Sequence, residues 1–326
     1  MKKVLGIGNA LVDMLIRLEN DEILNEFLLP KGSMQLIDEY LRLKIFDRIK
    51  SVPSQQASGG CAANTIHGLA NLGIKTGFIG KVGTSELGKF FQDDLINANI
   101  KPHLSYSVTK TGTAIAFISK DSERTFATYL GAAIELNANE LDEVLFDQYD
   151  YFHIEGYLLQ NHDLIQRAVK IAKEKNMKVS LDMASYNVVE DNLEFLKSLV
   201  HLYVDIVFAN EDEAKAFTGQ SDPEKALEII ARDTDIAIVK LGKKGSLVQQ
   251  EDKIFRIDPI KVNSIDTTGA GDLYAGGFLY GLLNNLSLDR CGAIGSLLAG
   301  TVIENIGAKI TDQQWEKIKS KIKQII

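Results

Sequence analysis

Along much of the chain a short apolar run is followed by an amphipathic segment of helical length, and this recurrence restricts the architecture more than any other feature. The run around Phe78 and Ile79 leads into Ser85–Ala98, and Tyr151–Ile154 leads into Asp163–Glu174. Lys178–Leu181, Asp205–Phe208 and Ile236–Val239 read as further buried strands. Continuous apolar strands alternating with helices belong in a largely parallel sheet covered on both faces, because each crossover lays a helix on the sheet. No internal repeat or Pro/Ser-rich linker divides the 326 residues, so one domain over 1–326 is expected.

Two regions break the alternation. Thr111–Ser119 shows period-two patterning, Lys120-Asp121-Ser122-Glu123 has turn chemistry, and Arg124–Leu130 alternates again. This predicts a hairpin with no helix after it, with Leu11–Leu18 and Ser33–Ile37 as candidate partners. The expectation is a small separate β-sheet lid built from about 11–39 and 105–131. An antiparallel edge of the main sheet is the alternative.

Composition narrows the function classes. With 45% hydrophobic and 25% charged residues the chain is neither disordered nor fibrous. No run approaches the ~18 uninterrupted apolar residues of a membrane helix. The start, Met1 to Leu18, has lysines before an apolar run, but Asn9, Asp13 and Arg17 interrupt it, so a buried first strand is expected rather than a signal peptide. A net charge of −8 argues against a nucleic-acid surface, which needs a basic face. Cys61 and Cys291 form no CxxC pair, which fits a reducing, cytoplasmic setting, and the five histidines form no zinc pattern.

Three glycine motifs invite a nucleotide reading. Gly6-Ile7-Gly8 follows a strand, but Leu11 stands where a dinucleotide fingerprint needs its third glycine. Gly68 to Lys75 resembles a P-loop but places its lysine one residue too late to reach the phosphates. The third motif is stronger: Asp266-Thr267-Thr268-Gly269-Ala270-Gly271-Asp272 opens as a loop and continues as a helix through Gly276-Gly277. Amides of Gly269, Ala270 and Gly271 at a helix N-terminus would suit an anion, and Asp272 would lie in the first turn. The plain reading is an N-capped helix with an acidic first turn. It leaves unexplained the mid-helix glycines, which cost about 1 kcal/mol each relative to alanine.

This loop resembles the second signature of the ribokinase-like (PfkB) carbohydrate and nucleoside kinases. Ala57-Ser58-Gly59-Gly60-Cys61-Ala62-Ala63-Asn64, with Gly68 to Gly73, resembles the first. Gly80-Lys81-Val82-Gly83, Glu86-Leu87-Gly88, Asn210-Glu211-Asp212-Glu213 and Lys240-Leu241-Gly242-Lys243-Lys244-Gly245 match further family runs in order. Gly8 to Asp13, Lys31 to Met34, Glu123-Arg124-Thr125 and Tyr129 to Ala132 are most similar to the adenosine-kinase branch.

The resemblance implies a three-layer α/β/α sandwich with a mostly parallel central sheet and a β lid. It implies transfer of the γ-phosphate of ATP to a primary hydroxyl of a nucleoside or a small sugar, with ribose or fructose as the free-sugar alternative. Asp272 would take the hydroxyl proton, and Gly269, Ala270 and Gly271 would stabilise the phosphoryl charge. Asp13, Gly59, Gly60 and Asn64 would hold the sugar. Arg124 on the lid would close on phosphates, or stay solvated. Asn210, Lys240, Gly242, Gly245 and Thr267 would line the ATP side. Glu213, with Asn210, would hold Mg²⁺ through water; a capped helix with an exposed acid is the alternative. Asp182, at a strand end, is a weaker candidate for that magnesium network. Asp266 would hold a K⁺ ion or merely cap its turn. An exposed lid edge could pair with a second lid in a homodimer or be capped within one chain. A sugar-binding protein that lost catalysis is a further alternative, which the intact Asp272 and Asn210-x-x-Glu213 oppose.

Overall fold

The computed structural model describes residues 2–121 and 123–326, so Ser122 of the expected turn lies outside the described residues. In chain order the strands are β1 (Lys3–Ile7), β2 (Leu11–Arg17), β3 (Met34–Leu36), β4 (Ser54–Gly59), β5 (Lys75–Gly83), β6 (Ile100–Ser107), β7 (Gly112–Ile118), β8 (Arg124–Tyr129), β9 (Tyr151–Glu155), β10 (Lys178–Asp182), β11 (Ile206–Asn210), β12 (Ile236–Lys240), β13 (Ser246–Gln250) and β14 (Lys253–Ile257). The large sheet runs β14-β13-β12-β11-β10-β9-β1-β5-β6. β12 through β6 are parallel, whereas β13 and β14 add an antiparallel hairpin at one edge.

Alternation along each central strand feeds two cores. Leu5, Ile7, Phe152, Ile154, Leu181 and Val207 pack under helices His162–Glu174, Leu193–Tyr203 and Pro223–Ile230. Val4, Phe78, Phe208 and Ile238 pack on the other face against helices Cys61–Asn71, Glu86–Asn97 and Ala270–Leu283. This is a three-layer α/β/α sandwich, in which pleated strands bury both faces.

The second sheet has the order β3-β8-β7-β2-β4. The β7–β8 hairpin therefore sits in a separate lid, not at an edge of the main sheet. Its membership differs from the expected segments in two places: β4 joins the lid by pairing with β2, and Ser105–Ser107 continue β6 in the large sheet. β4 reads SQQASG, too polar to announce a strand, and its partner β2 settles its place. Val12, Met14, Ile16, Ile115 and Phe117 turn outward onto Ile23, Leu24 and Ile45 of the covering segments. The opposite face carries the row Ala57, Asp13, Ala114, Thr128 and the row Gln55, Leu15, Ala116, Phe126.

The paired glycines of the last glycine motif have a packing role. A Cβ on Gly276 would lie 3.1 Å from Thr65 O, and one on Gly277 would lie 2.7 Å from Ile294 O. Helix Ala270–Leu283 thus runs against helix Cys61–Asn71 and helix Leu288–Val302 at backbone contact. Those two glycines belong to helix packing, not to anion binding.

Candidate active site

Five parallel strands deliver a polar side chain at or just beyond their carboxyl ends: Asn9 after β1, Glu155 on β9, Asp182 on β10, Asn210 on β11 and Lys240 on β12. Crevices at this end of an open α/β sheet are where such folds bind ligands. Glu155 belongs to no sequence motif, and Asp182 stands out in the sequence only as a strand-end acid. The signal for both is a single acid closing a short strand run, YFHIE and KVSLD.

Asp272 lies in the first turn of helix Ala270–Leu283, and its Oδ2 accepts from Asn64 Nδ2 at 3.0 Å. Thr65 Oγ1 donates to its backbone carbonyl, also at 3.0 Å, fixing the turn against the helix that carries Asn64. Burial raises the Asp272 carboxyl to about 7 against the opposing Asn64 hydrogen bond. Gly269 caps the helix with φ +75°, a left-handed conformation that favours glycine. Among the described residues the Gly269 and Gly271 amides have no backbone acceptor, whereas Ala270 N donates to Thr267 O at 3.2 Å. The expected set of three free amides is therefore corrected to two, because Ala270 closes the turn.

Lys240 is largely withdrawn from solvent, its side chain 15% exposed. Its Nζ donates to Asp182 at 2.7 Å and lies 3.1 Å from where a Cβ on Gly271 would be. Burial opposes its charge, but Asp182 and Glu213 outweigh that and raise its pKa. Burial likewise works against Asp182, yet Lys240 holds its carboxyl below the usual range. A fixed cation thus stands beside the glycine loop. Gly242 (φ +55°) and Gly245 (φ +91°) form the tight β12–β13 turn, closed by Leu241 N→Gly245 O at 2.8 Å.

The Asn210 side chain accepts from Glu213 N, while Glu213 accepts from Asn210 N and Nδ2 at 2.7 and 2.5 Å. This is a capping box, as the plain reading expected, but the acid is buried rather than exposed, and burial raises it to about 7. No three His, Cys, Asp or Glu side chains among the described residues converge as a direct metal cage. The hard carboxylate oxygens of the buried Glu213 and the half-buried Asp272 are of the chemistry that would suit a magnesium ion keeping much of its water.

On the lid side, Asp13 lies against Gly59, where a Cβ would stand 2.2 Å from Asp13 Oδ1. Burial raises Asp13 to about 6, with Lys309 pulling the other way. Gly60 has φ +100°, and a Cβ there would meet Asn9 O at 2.1 Å. Glu155 accepts from Asn9 Nδ2 (2.8 Å), Asn9 N (3.3 Å) and Ala62 N (3.1 Å), tying this turn to the sheet. The buried amide oxygens of Asn9 and Asn64 have no donor among the described residues.

Arg124 does reach the site, but its guanidinium is engaged: Nη1 pairs with Asp266 Oδ1 and Nη2 donates to Ile265 O at 3.0 Å. Asp266 also accepts from Thr268 N (2.8 Å) and Gly307 N (2.5 Å). A K⁺ ion does not fit beside this carboxylate, because a guanidinium already supplies the positive charge there. Thr267 contributes its carbonyl to the same turn.

The model of the pfkB family carbohydrate kinases matches residues 38–315. A probable sugar kinase from Rhizobium etli superposes with a TM-score of 0.89 at 33% identity, covering 100% of this chain and 99% of that one. An adenosine kinase from Sinorhizobium meliloti gives a TM-score of 0.87 at 34% identity, covering 98% and 99%. A 5-dehydro-2-deoxygluconokinase from Clostridium beijerinckii is 30% identical over 284 residues, 82% of this chain and 84% of that protein. With a family match over most of its length and a site built from the strand ends and the glycine loop, the chain belongs to the pfkB family of carbohydrate kinases, phosphotransferases that act on a hydroxyl acceptor.

Proposed function

We propose that this kinase transfers the γ-phosphoryl group of ATP to a primary hydroxyl of a ribose-containing acceptor, with a nucleoside ahead of a free sugar. The observation that carries the chemistry is the half-buried Asp272 carboxylate, hydrogen-bonded to Asn64 at the mouth of the glycine loop. Asp272 takes the hydroxyl proton as the oxygen attacks the γ-phosphorus, and the bond to the bridging oxygen of ADP breaks. The Gly269 and Gly271 amides and the Lys240 ammonium face the charge on the transferring group. Glu213, Asn210 and Asp182 would hold Mg²⁺ through water, and the ion would neutralise the ATP phosphates. Gly242, Gly245 and Thr267 shape the nucleotide side.

Asp13, Gly59, Gly60 and Asn64 would hold the sugar, with the free amide oxygens of Asn9 and Asn64 as further acceptors. One feature favours a nucleoside: Leu15, Ala114 and Phe126 share the Asp13 face and offer an apolar shelf for a base. The test is ADP release with ATP and Mg²⁺ across adenosine, inosine, guanosine, ribose and fructose. Higher kcat/KM for at least one nucleoside than for either sugar is expected. Ribose or fructose turning over at least as efficiently as every nucleoside would make this a free-sugar kinase.

The lid exposes Leu28, Met34, Leu36, Tyr40 and Leu43 around the β3 edge, and an apolar rim beside an open strand edge suits a second copy. Sedimentation analysis of the wild type against Leu36→Lys would read that homodimer.

A further inference from the structure

Lys309 lies on the loop after helix Leu288–Val302, a segment the family motifs do not mark. That loop touches three parts of the site. Gly307 N donates to Asp266 Oδ2, Ala308 Cβ stands 2.5 Å from where a Cβ on Gly269 would be, and Lys309 Nζ donates to Ser58 Oγ at 3.4 Å.

The Ser58 hydroxyl is already committed. It donates to Asp94 Oδ2 at 2.5 Å, and its oxygen lies 2.7 Å from His67 Nε2. Burial keeps His67 well below its ordinary pKa, so its neutral ring donates there through Nε2. Ser58 can therefore offer Lys309 only a lone pair, which holds the ammonium in place without neutralising it. Among the described residues Lys309 has no carboxylate within ion-pair distance, and this long bond is its only side-chain hydrogen bond. Two of its three N–H donors are left over. Asp94, Asp13 and Asp272 all draw its pKa upward, while burial holds it at about 8. The ammonium thus sits in the field of both the sugar-side and the catalytic carboxylates, and Ser58 directly precedes Gly59, against which Asp13 lies.

We infer that Lys309 is an acceptor-binding residue: its spare N–H groups donate to the sugar hydroxyls whose protons Asp13 accepts. This inference rests on the reading of Asp13 as a sugar ligand. A vicinal diol offers both donors and acceptors, so a carboxylate and an ammonium together match it better than either alone. Burial raises the Asp13 carboxyl, and Lys309 opposes that rise.

The test is calorimetric binding of adenosine and of D-ribose without ATP, alongside steady-state kinetics, for wild type, Lys309→Met, Lys309→Arg and Asp13→Asn. Lys309→Met should weaken acceptor binding by about tenfold or more, the usual scale for a hydrogen bond to a charged group. KM for ATP and the melting temperature should hold, and Lys309→Arg should recover part of the loss. In the Asp13→Asn background the further effect of Lys309→Met should shrink, because the two residues share one hydroxyl pair. If Asp13→Asn weakens binding while Lys309→Met binds like wild type, the inference is wrong and the sugar-site reading stands. If Asp13→Asn changes nothing, or wild type binds neither probe, the underlying reading fails and takes the inference with it.

Discussion

Arg124 on the lid and Asp266 at the start of the glycine loop form an ion pair, with side chains 12% and 1% exposed. They are 142 positions apart in sequence, and the contact joins the lid to the loop that presents the Gly269 and Gly271 amides. A cation supplied by the lid stands where the resemblance had implied K⁺.

With Mg²⁺ held constant, wild-type turnover is therefore expected to be the same whether the monovalent cation is K⁺, Na⁺ or an organic ammonium. Arg124→Ala should lower kcat by about tenfold or more, because removing one partner strands a buried charge under the loop. A wild-type rate several-fold higher in K⁺ than in Na⁺ would sink this account.

Asp272→Asn keeps size and hydrogen bonding while removing basicity. It should cost roughly 10²–10⁴ in kcat, with little change in acceptor binding. Because burial raises Asp272 to about 7, the carboxyl is protonated and inactive as a base below that pH. The acidic limb of kcat/KM should rise through about pH 7, and a limb near an ordinary carboxylate value would contradict the assignment.

Gly59→Ala would place a methyl 2.2 Å from Asp13 Oδ1, so Asp13 must move. Displacements on that scale cost on the order of 10²-fold in well-oriented sites. The expected result is a raised KM for the acceptor with an unchanged KM for ATP. Equal effects on both substrates would mean that Asp13 does not face the sugar.

Gly277→Ala gains helix propensity of about 1 kcal/mol but drives a methyl to 2.7 Å from Ile294 O. Overpacking against backbone costs about 1–3 kcal/mol, so net destabilisation is expected in urea unfolding. A variant at least as stable as wild type would remove the packing explanation.

Glu155 is buried and raised from an ordinary 4.5 to about 7. Between these values the folded chain holds a proton that the unfolded chain has released, so this group's contribution to stability falls as pH rises through the window. The stability advantage of wild type over Glu155→Gln should therefore shrink between about pH 5 and pH 8, read by melting temperature. A gap that widens with pH would reverse the sign.

The sequence alone determined what depends on neighbours along the chain. Buried strands show as apolar runs, and the β7–β8 hairpin shows as alternation around a turn. The capping box of Asn210 and Glu213 has its three-residue spacing, and the glycine loop with Asp272 follows from how helices begin. Tertiary structure decided whatever depends on partners brought together from afar. Lys240 meets Asp182 across 58 positions, and Arg124 meets Asp266 across 142. Glu155 gathers Asn9 and Ala62, Lys309 reaches Ser58, and Gly276 and Gly277 answer to two neighbouring helices. A hydrogen bond or a backbone contact constrains distance in space, not separation along the chain, so these pairings have no period for the sequence to display.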